Sequence, residues 1–252
     1  MDDLFVQTTG TGGEPVVLLH GFAGSGEIWH DIQSELGPLA TFHAVDLPGH
    51  AGSMGYPGAG PAKVAVGAVL NAMTRRGVET FHICGHSFGG AVATLIAMTA
   101  PQRVRSLTLL APGGFGPEIN IRLLKRFAAA REAEPLRIAL EGMTGFLHAV
   151  SDDTVDFHVR MRARPGQTEL LVAFAEGLAR NGRQGSIPRE QLSTLAMPVR
   201  VLWGLQDNVL PARQAEGLPE AWHVDRLSET GHMLVEEVPE AVAAALRAQI
   251  TR

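Results

Sequence analysis

Three residues, taken in chain order, have the types and the setting for nucleophilic catalysis: Ser87, Asp207 and His232. A serine hydroxyl is a weak nucleophile until a base takes its proton, and the imidazole that does so needs an anionic partner to hold its tautomer. Ser87 stands in Gly85-His86-Ser87-Phe88-Gly89-Gly90, the G-x-S-x-G spacing of a strained strand-to-helix turn that leaves the hydroxyl exposed. The glycines have a steric reason, because a side chain at Gly85 or Gly89 would strike the neighbouring strand or helix. Residues 80–85 read as a buried strand and residues 90–100, apolar and Ala-rich, as a helix, which is the context the pentapeptide needs. Asp207 follows an apolar run at 199–203, and His232, after Gly231, follows another at 222–227. All three therefore fall at carboxyl ends of strands, the edge where open parallel sheets place their sites. Asp225 lies inside a strand and is the weaker choice of acid.

Attack on a carbonyl also needs two donors for the developing oxyanion. The backbone N–H of Phe88, next after the serine, is one; that of Phe22, after His20-Gly21 on a glycine-rich loop, is the other. His20, His50 and His86 read as structural, holding their turns by hydrogen bonds. The histidines lack metal-ligand spacing, and residues 20–26 match neither G-x-G-x-x-G nor a P-loop, so no metal and no cofactor is expected.

These residues need a frame to hold them. Short apolar runs at 15–20, 41–46, 80–85, 104–110, 199–203 and 222–227 alternate with helical stretches at 27–36, 62–75, 90–100 and 238–250. Strands covered on both faces and joined by helices predict an α/β protein with a mostly parallel, doubly wound sheet. The first ten residues give at most an edge strand. From residue 115 to 195 no strand is read; amphipathic stretches at 118–130, 135–148, 152–163 and 167–181 predict a helical cap laid over the strand ends. The expected division is a core of 1–114 and 196–252 and a cap of 115–195. Substrate choice is then expected in the cap, with Phe115, Phe127, Met143 and Phe146 as candidate cleft residues. Arg160 and Arg164, four apart on one helix face, read either as a solvated face or as a clamp for a substrate carboxylate.

The chain has 252 residues and a formal charge of −5, long enough to bury a large core and without a basic surface for nucleic acid or anionic membrane. Cys84 is the single cysteine, so no intrachain disulfide forms, and its strand position predicts a buried, inert thiol. The amino terminus is acidic and polar rather than signal-like, and no apolar run approaches the length of a membrane span. A cytoplasmic protein acting on a small molecule, with neither nucleic acid nor membrane as partner, is expected; the oligomeric state is unknown from the sequence.

Leu18-Leu19-His20-Gly21-Phe22, Asp46-Leu47-Pro48-Gly49-His50, the serine turn, Gly204 to Pro211 and Gly231-His232 together resemble the α/β-hydrolase superfamily across nearly the whole chain. The resemblance implies the fold of that superfamily, with the cap inserted after the sixth strand of the fold. Residues 111–120 (APGGFGPEIN) with Asn181-Gly182-Arg183-Gln184 are similar to the acyltransferase-like domain of acetoin dehydrogenase E2 components and their stand-alone hydrolase relatives. Those E2 components carry an N-terminal lipoyl domain. This chain, whose first strand-like run begins near residue 15, is expected to lack one, so that an acyl carrier would come from another chain. Superfamily members with an aspartate nucleophile are excluded by Ser87. Relatives that split carbon–carbon bonds of ring-cleavage products share the triad but commonly carry Gly-Pro-Gly in the first loop and Asn before the serine, where this chain has Ala23-Gly24-Ser25 and His86.

The expected activity is that of a serine hydrolase cleaving an ester or related acyl bond of a small, largely apolar metabolite. Two alternatives stand beside it: hydrolysis of a carbon–carbon bond in a diketone-type ring-cleavage product, and E2-like acyl transfer to a thiol. A non-enzymatic binding module of the same fold is a further class, against which the intact Ser87, Asp207 and His232 argue.

Overall fold

The structure is a computed structural model and describes residues 3–251. Among these residues seven strands form one sheet: β1 (Val6–Thr9), β2 (Glu14–Leu19), β3 (Ala40–Val45), β4 (Phe81–His86), β5 (Val104–Leu110), β6 (Val199–Gly204) and β7 (His223–Leu227). Their order is β1-β3-β2-β4-β5-β6-β7, with β1 antiparallel to β3 and all other neighbours parallel. The α/β-hydrolase fold expected from the sequence is the fold observed.

The helices are α1 (His30–Leu36), α2 (Ala62–Arg75), α3 (Phe88–Thr99), α4 (Ile121–Ala129), α5 (Ala133–Glu141), α6 (Asp152–Arg162), α7 (Gln167–Leu178), α8 (Arg189–Leu192), α9 (Leu234–Glu237) and α10 (Pro239–Ile250). On the sheet they pack in two pairs, α1 with α10 and α2 with α3, while α3 and α10 both lie along β4 and β5. Covered in this way, every residue of β4 is buried, which is why it reads as an unbroken run rather than an alternating one. Cys84 is among them, free and buried, and burial pushes its thiol far up, away from the reactive thiolate.

Helices α4–α8 form the inserted region between β5 and β6; β5 is the fifth strand among the described residues. The stretch 135–148 is helical only to Glu141, because Gly142 and Gly145 open a turn that leads the chain down to the sheet. Arg189–Leu192 is a short helix that the sequence pattern does not reveal, and residues 238–250 form α10 from Pro239, where a proline is tolerated in the first turn. The insertion is tied to the core by a buried glutamine: Gln167 of α7 accepts from the Ala51 amide at 2.9 Å and donates to the Gly49 carbonyl at 3.0 Å.

Candidate active site

Between β4 and α3 the backbone turns at Ser87 with φ 52° and ψ −115°, a conformation that costs a non-glycine residue energy and lifts its side chain clear of the turn. Two glycines make room. A Cβ on Gly85 would lie 2.3 Å from the Gly89 carbonyl oxygen, and one on Gly89 would lie 2.4 Å from that of Leu19. The turn is fastened to its neighbour strand by the Ser87 amide donating to Leu110 and by the Gly113 amide donating to Ser87.

Ser87 Oγ is 2.9 Å from His232 Nε2, and His232 Nδ1 is 2.8 Å from Asp207 Oδ2. The second oxygen of Asp207 accepts from the amides of Val209 and Leu210, each at 2.8 Å, so the carboxylate is aimed by its own loop. The imidazole and carboxylate are buried. The histidine loop is held on two sides. His86 Nε2 donates to the His232 carbonyl at 2.7 Å, and the His232 amide donates to the carbonyl of Met143, in the insertion, at 2.7 Å. The carboxylate of Glu237 accepts from Gly231, Met233 and Gly145, which joins the histidine loop to the turn after α5.

Gly21 packs directly against the serine: a Cβ there would meet Ser87 Cβ at 3.2 Å. The loop is braced by His20, whose Nδ1 donates to the Gly21 carbonyl at 2.7 Å while its Nε2 accepts from the Leu47 amide at 2.9 Å. Burial lowers its pKa to about 4, so the ring is neutral and structural. Phe22 and Phe88 both reach the space at Ser87. Neither of their amides has a hydrogen-bond partner among the described residues, as two oxyanion donors require. His50, bonded through Nδ1 to the Pro48 carbonyl, is also buried and neutral, its pKa lowered to about 3.

Ser87 stands between two spaces. One, about 30 Å³, is lined by Gly21, Ile28, Phe127, Met143, His158 and Glu236 among others. The second, about 340 Å³, is mostly apolar, with Phe88, Leu95, Ile119, Leu178, Ile187 and Gln184 on its walls. Leu124 and Phe22 border both. Ile28 and Glu236 also line an outer groove with Glu27, Asp31 and Phe157, so that one layer of side chains separates the small cavity from that groove.

Of the cleft residues expected from the cap, Phe127 and Met143 line the small cavity and the others do not. Phe115 is packed into the core against Trp203 and Trp222, since the chain between β5 and α4 runs over the strands that follow before it enters the insertion's helices. Phe146 is 81% exposed at the tip of the turn after α5. Arg160 pairs with Glu27 on the surface, and Arg164 shares with it an outer groove that Ser87 does not line. Sequence reading missed His158 and Glu236. His158 sits on an amphipathic helix, where a polar residue reads as solvated, and Glu236 on a single turn of helix that the sequence pattern does not reveal; only tertiary packing turns them inward. No group of three His, Cys, Asp or Glu among the described residues could hold a metal ion. No helix among them is long and apolar enough to cross a membrane.

Fold and triad geometry define an α/β-hydrolase. The sequence matches the model of the Alpha/beta hydrolase family over residues 16–245, and the chain belongs to that family. It is 35% identical over 224 residues to the dihydrolipoyllysine-residue acetyltransferase component of the acetoin cleaving system of Cupriavidus necator, a match that covers 89% of this chain and 60% of that relative's length. It is 30% identical over 240 residues to the pimeloyl-[acyl-carrier protein] methyl ester esterase of Citrobacter koseri, covering 88% of this chain and 87% of the relative. A meta-cleavage product hydrolase from Pseudomonas fluorescens superposes with a TM-score of 0.83 at 19% identity, over 98% of this chain and 94% of that one. The chain is an enzyme of this family.

Proposed function

We propose that Ser87 is the nucleophile of an acyl-transfer reaction on a small apolar substrate, with His232 as base, Asp207 as its orienting anion, and the Phe22 and Phe88 amides as the oxyanion donors. The carrying observation is the unbroken chain from Ser87 Oγ through His232 to Asp207, at 2.9 and 2.8 Å. In this reading Ser87 attacks the carbonyl as its proton moves to His232 Nε2. The bond to the leaving group breaks as His232 returns that proton, and the acyl group stays on the serine.

Among acyl donors we propose a thioester, with the acyl group passing to a thiol or to water, in place of the simple ester first expected. The likeness to an acetyltransferase component supports this reading. So does the 340 Å³ apolar space beside Ser87, which is open enough for an extended thiol arm. Carbon–carbon hydrolysis is the second reading, favoured by the likeness to the meta-cleavage product hydrolase. Against it, no Lys or Arg lines either space at Ser87 among the described residues to meet the carboxylate of a ring-cleavage acid.

The test is a matched panel of an ester, a thioester and a vinylogous diketone, with the adduct located by mass. Acylation of Ser87 by the thioester, with the acyl group recovered on an added thiol, is the expected result. Faster cleavage of the diketone would move the assignment to the second reading. The absence of any adduct on Ser87 would overturn both.

A further inference from the structure

The small cavity beside Ser87 is lined by two polar side chains that the triad does not use, His158 and Glu236. His158, from α6, is buried there and lies against Arg162 one turn on: Arg162 Nη1 is 3.2 Å from His158 Nδ1. A guanidinium can only donate, so Nδ1 accepts and the proton of the neutral ring is on Nε2. Burial and the adjacent guanidinium hold His158 well below the usual histidine range, which fixes this neutral form. Arg162 itself is 5% exposed and stacks on Phe127, and its other hydrogen bonds go to the carbonyls of His158 and Phe127. No carboxylate pairs with it among the described residues. A buried cation without an anion is expensive, and its field falls on the imidazole that borders the cavity.

Glu236, from α9, borders the same cavity, and its Oε2 is buried without a hydrogen-bond partner among the described residues. A buried polar atom left unpaired is costly, and a partner present only in the complex would remove that cost. The cavity measures about 30 Å³. That is room for about two water-sized groups, the size of a methylene and a hydroxyl.

We infer that this cavity is a subsite for an oxygen substituent on the short side of the scissile carbonyl, which accepts from His158 and hydrogen-bonds to Glu236. The inference rests on the proposed role of Ser87 and names the substrate class more closely: a short acyl group with a hydroxyl next to its carbonyl, as in a hydroxyacetyl thioester. Arg162 does not reach the substrate; it is a positioning residue that polarises His158.

The acetyl and hydroxyacetyl thioesters of N-acetylcysteamine test this. Rates of Ser87 acylation are compared after correction for each thioester's reactivity toward hydroxide. The wild-type enzyme is expected to prefer the hydroxyacetyl donor by about tenfold or more, since a site built around a substrate hydroxyl discriminates against its absence. His158→Phe and Glu236→Leu should each bring the ratio toward one, and Glu236→Gln, which keeps a hydrogen-bonding side chain, should retain most of it. Thermal unfolding of each variant shows that the fold is kept, and a ratio is insensitive to the amount of active enzyme. Equal acylation by both donors in the wild type, or a preference unchanged in both His158→Phe and Glu236→Leu, overturns the subsite while the acyl-transfer reading stands. If neither donor acylates Ser87, the acyl-transfer reading fails, and the subsite with it.

Discussion

The amide of His232 donates to the carbonyl of Met143 at 2.7 Å, so the backbone of the proposed base is bonded directly to the turn that follows α5 in the insertion. Glu237 completes the joint by accepting from Gly231 and Met233 on one side and Gly145 on the other. The insertion and the triad therefore form one hydrogen-bonded unit rather than a lid resting on a finished site.

Glu237→Ala removes an anionic acceptor shared by three amides. Hydrogen bonds to a charged group count for more than neutral ones, and a loss of about 1–3 kcal/mol in unfolding free energy is expected, with a fall in Ser87 acylation rate. Glu237→Gln should recover part of both. Denaturant unfolding checks the first and mass-resolved acylation the second; an unchanged midpoint in the alanine variant would count against the joint.

Gly85→Ala places a methyl 2.3 Å from the Gly89 carbonyl oxygen, with backbone rather than a mobile side chain as the obstacle. The turn must open, and a destabilisation of about 1–3 kcal/mol with loss of Ser87 reactivity toward a fluorophosphonate is expected. A variant that labels as fast as the wild type would show that the turn is looser than its geometry.

Ser87→Ala should lower turnover of the preferred substrate by about four orders of magnitude with the melting temperature retained. A loss of less than tenfold would remove Ser87 from the chemistry.

His20, His50 and His86 are buried and neutral, with pKa values lowered by desolvation to about 4, 3 and 3 from an ordinary 6.5. Below pH 6.5 the unfolded chain binds protons that the folded chain refuses, so stability falls as pH drops from 6.5 toward 4 and is fully present above 6.5. Urea midpoints at pH 7, 6, 5 and 4 should decline in that order. A flat profile from pH 7 to 5 would contradict the neutral assignments.

Glu236 behaves in the opposite sense, since burial, with the charge of Glu237 beside it, raises its carboxyl to about 8. The groups around it are His86, His158 and His232 in the cavity, and Glu27, His30, Asp31 and Asp153 along the outer groove. The folded chain keeps a proton there that the unfolded chain loses near pH 4.5, so stability falls as pH rises from about 4.5 through 8. Glu236→Gln should therefore gain stability over the wild type at pH 9, by an amount on the order of 1 kcal/mol, and gain none at pH 4. Equal differences at the two pH values would mean that the carboxyl ionises normally.

The sheet, the turn at Ser87 and the places of Asp207 and His232 were legible because each rests on local rules. Glycine spacing reflects sterics within a few residues, and apolar runs reflect two-sided burial. The insertion was legible as helices but not as a surface. An amphipathic period says that one face is covered and not what covers it, so Phe115, which packs on Trp203, and Phe127, which borders the small cavity, look alike in the sequence. Glu236 and Glu237 are adjacent acids on one short helix, yet Glu237 clamps three amides while Glu236 borders the cavity with an oxygen unpaired among the described residues. Nothing local separates them.

Ile28 and Glu236 belong both to the small cavity and to the outer groove. Their side chains thus stand between the small cavity at Ser87 and that groove. In the proposed reaction, traffic at the serine is not forced through a single doorway: a bulky leaving group has the wide side for its departure, while the narrow side is parted from the outer groove by the side chains of Ile28 and Glu236.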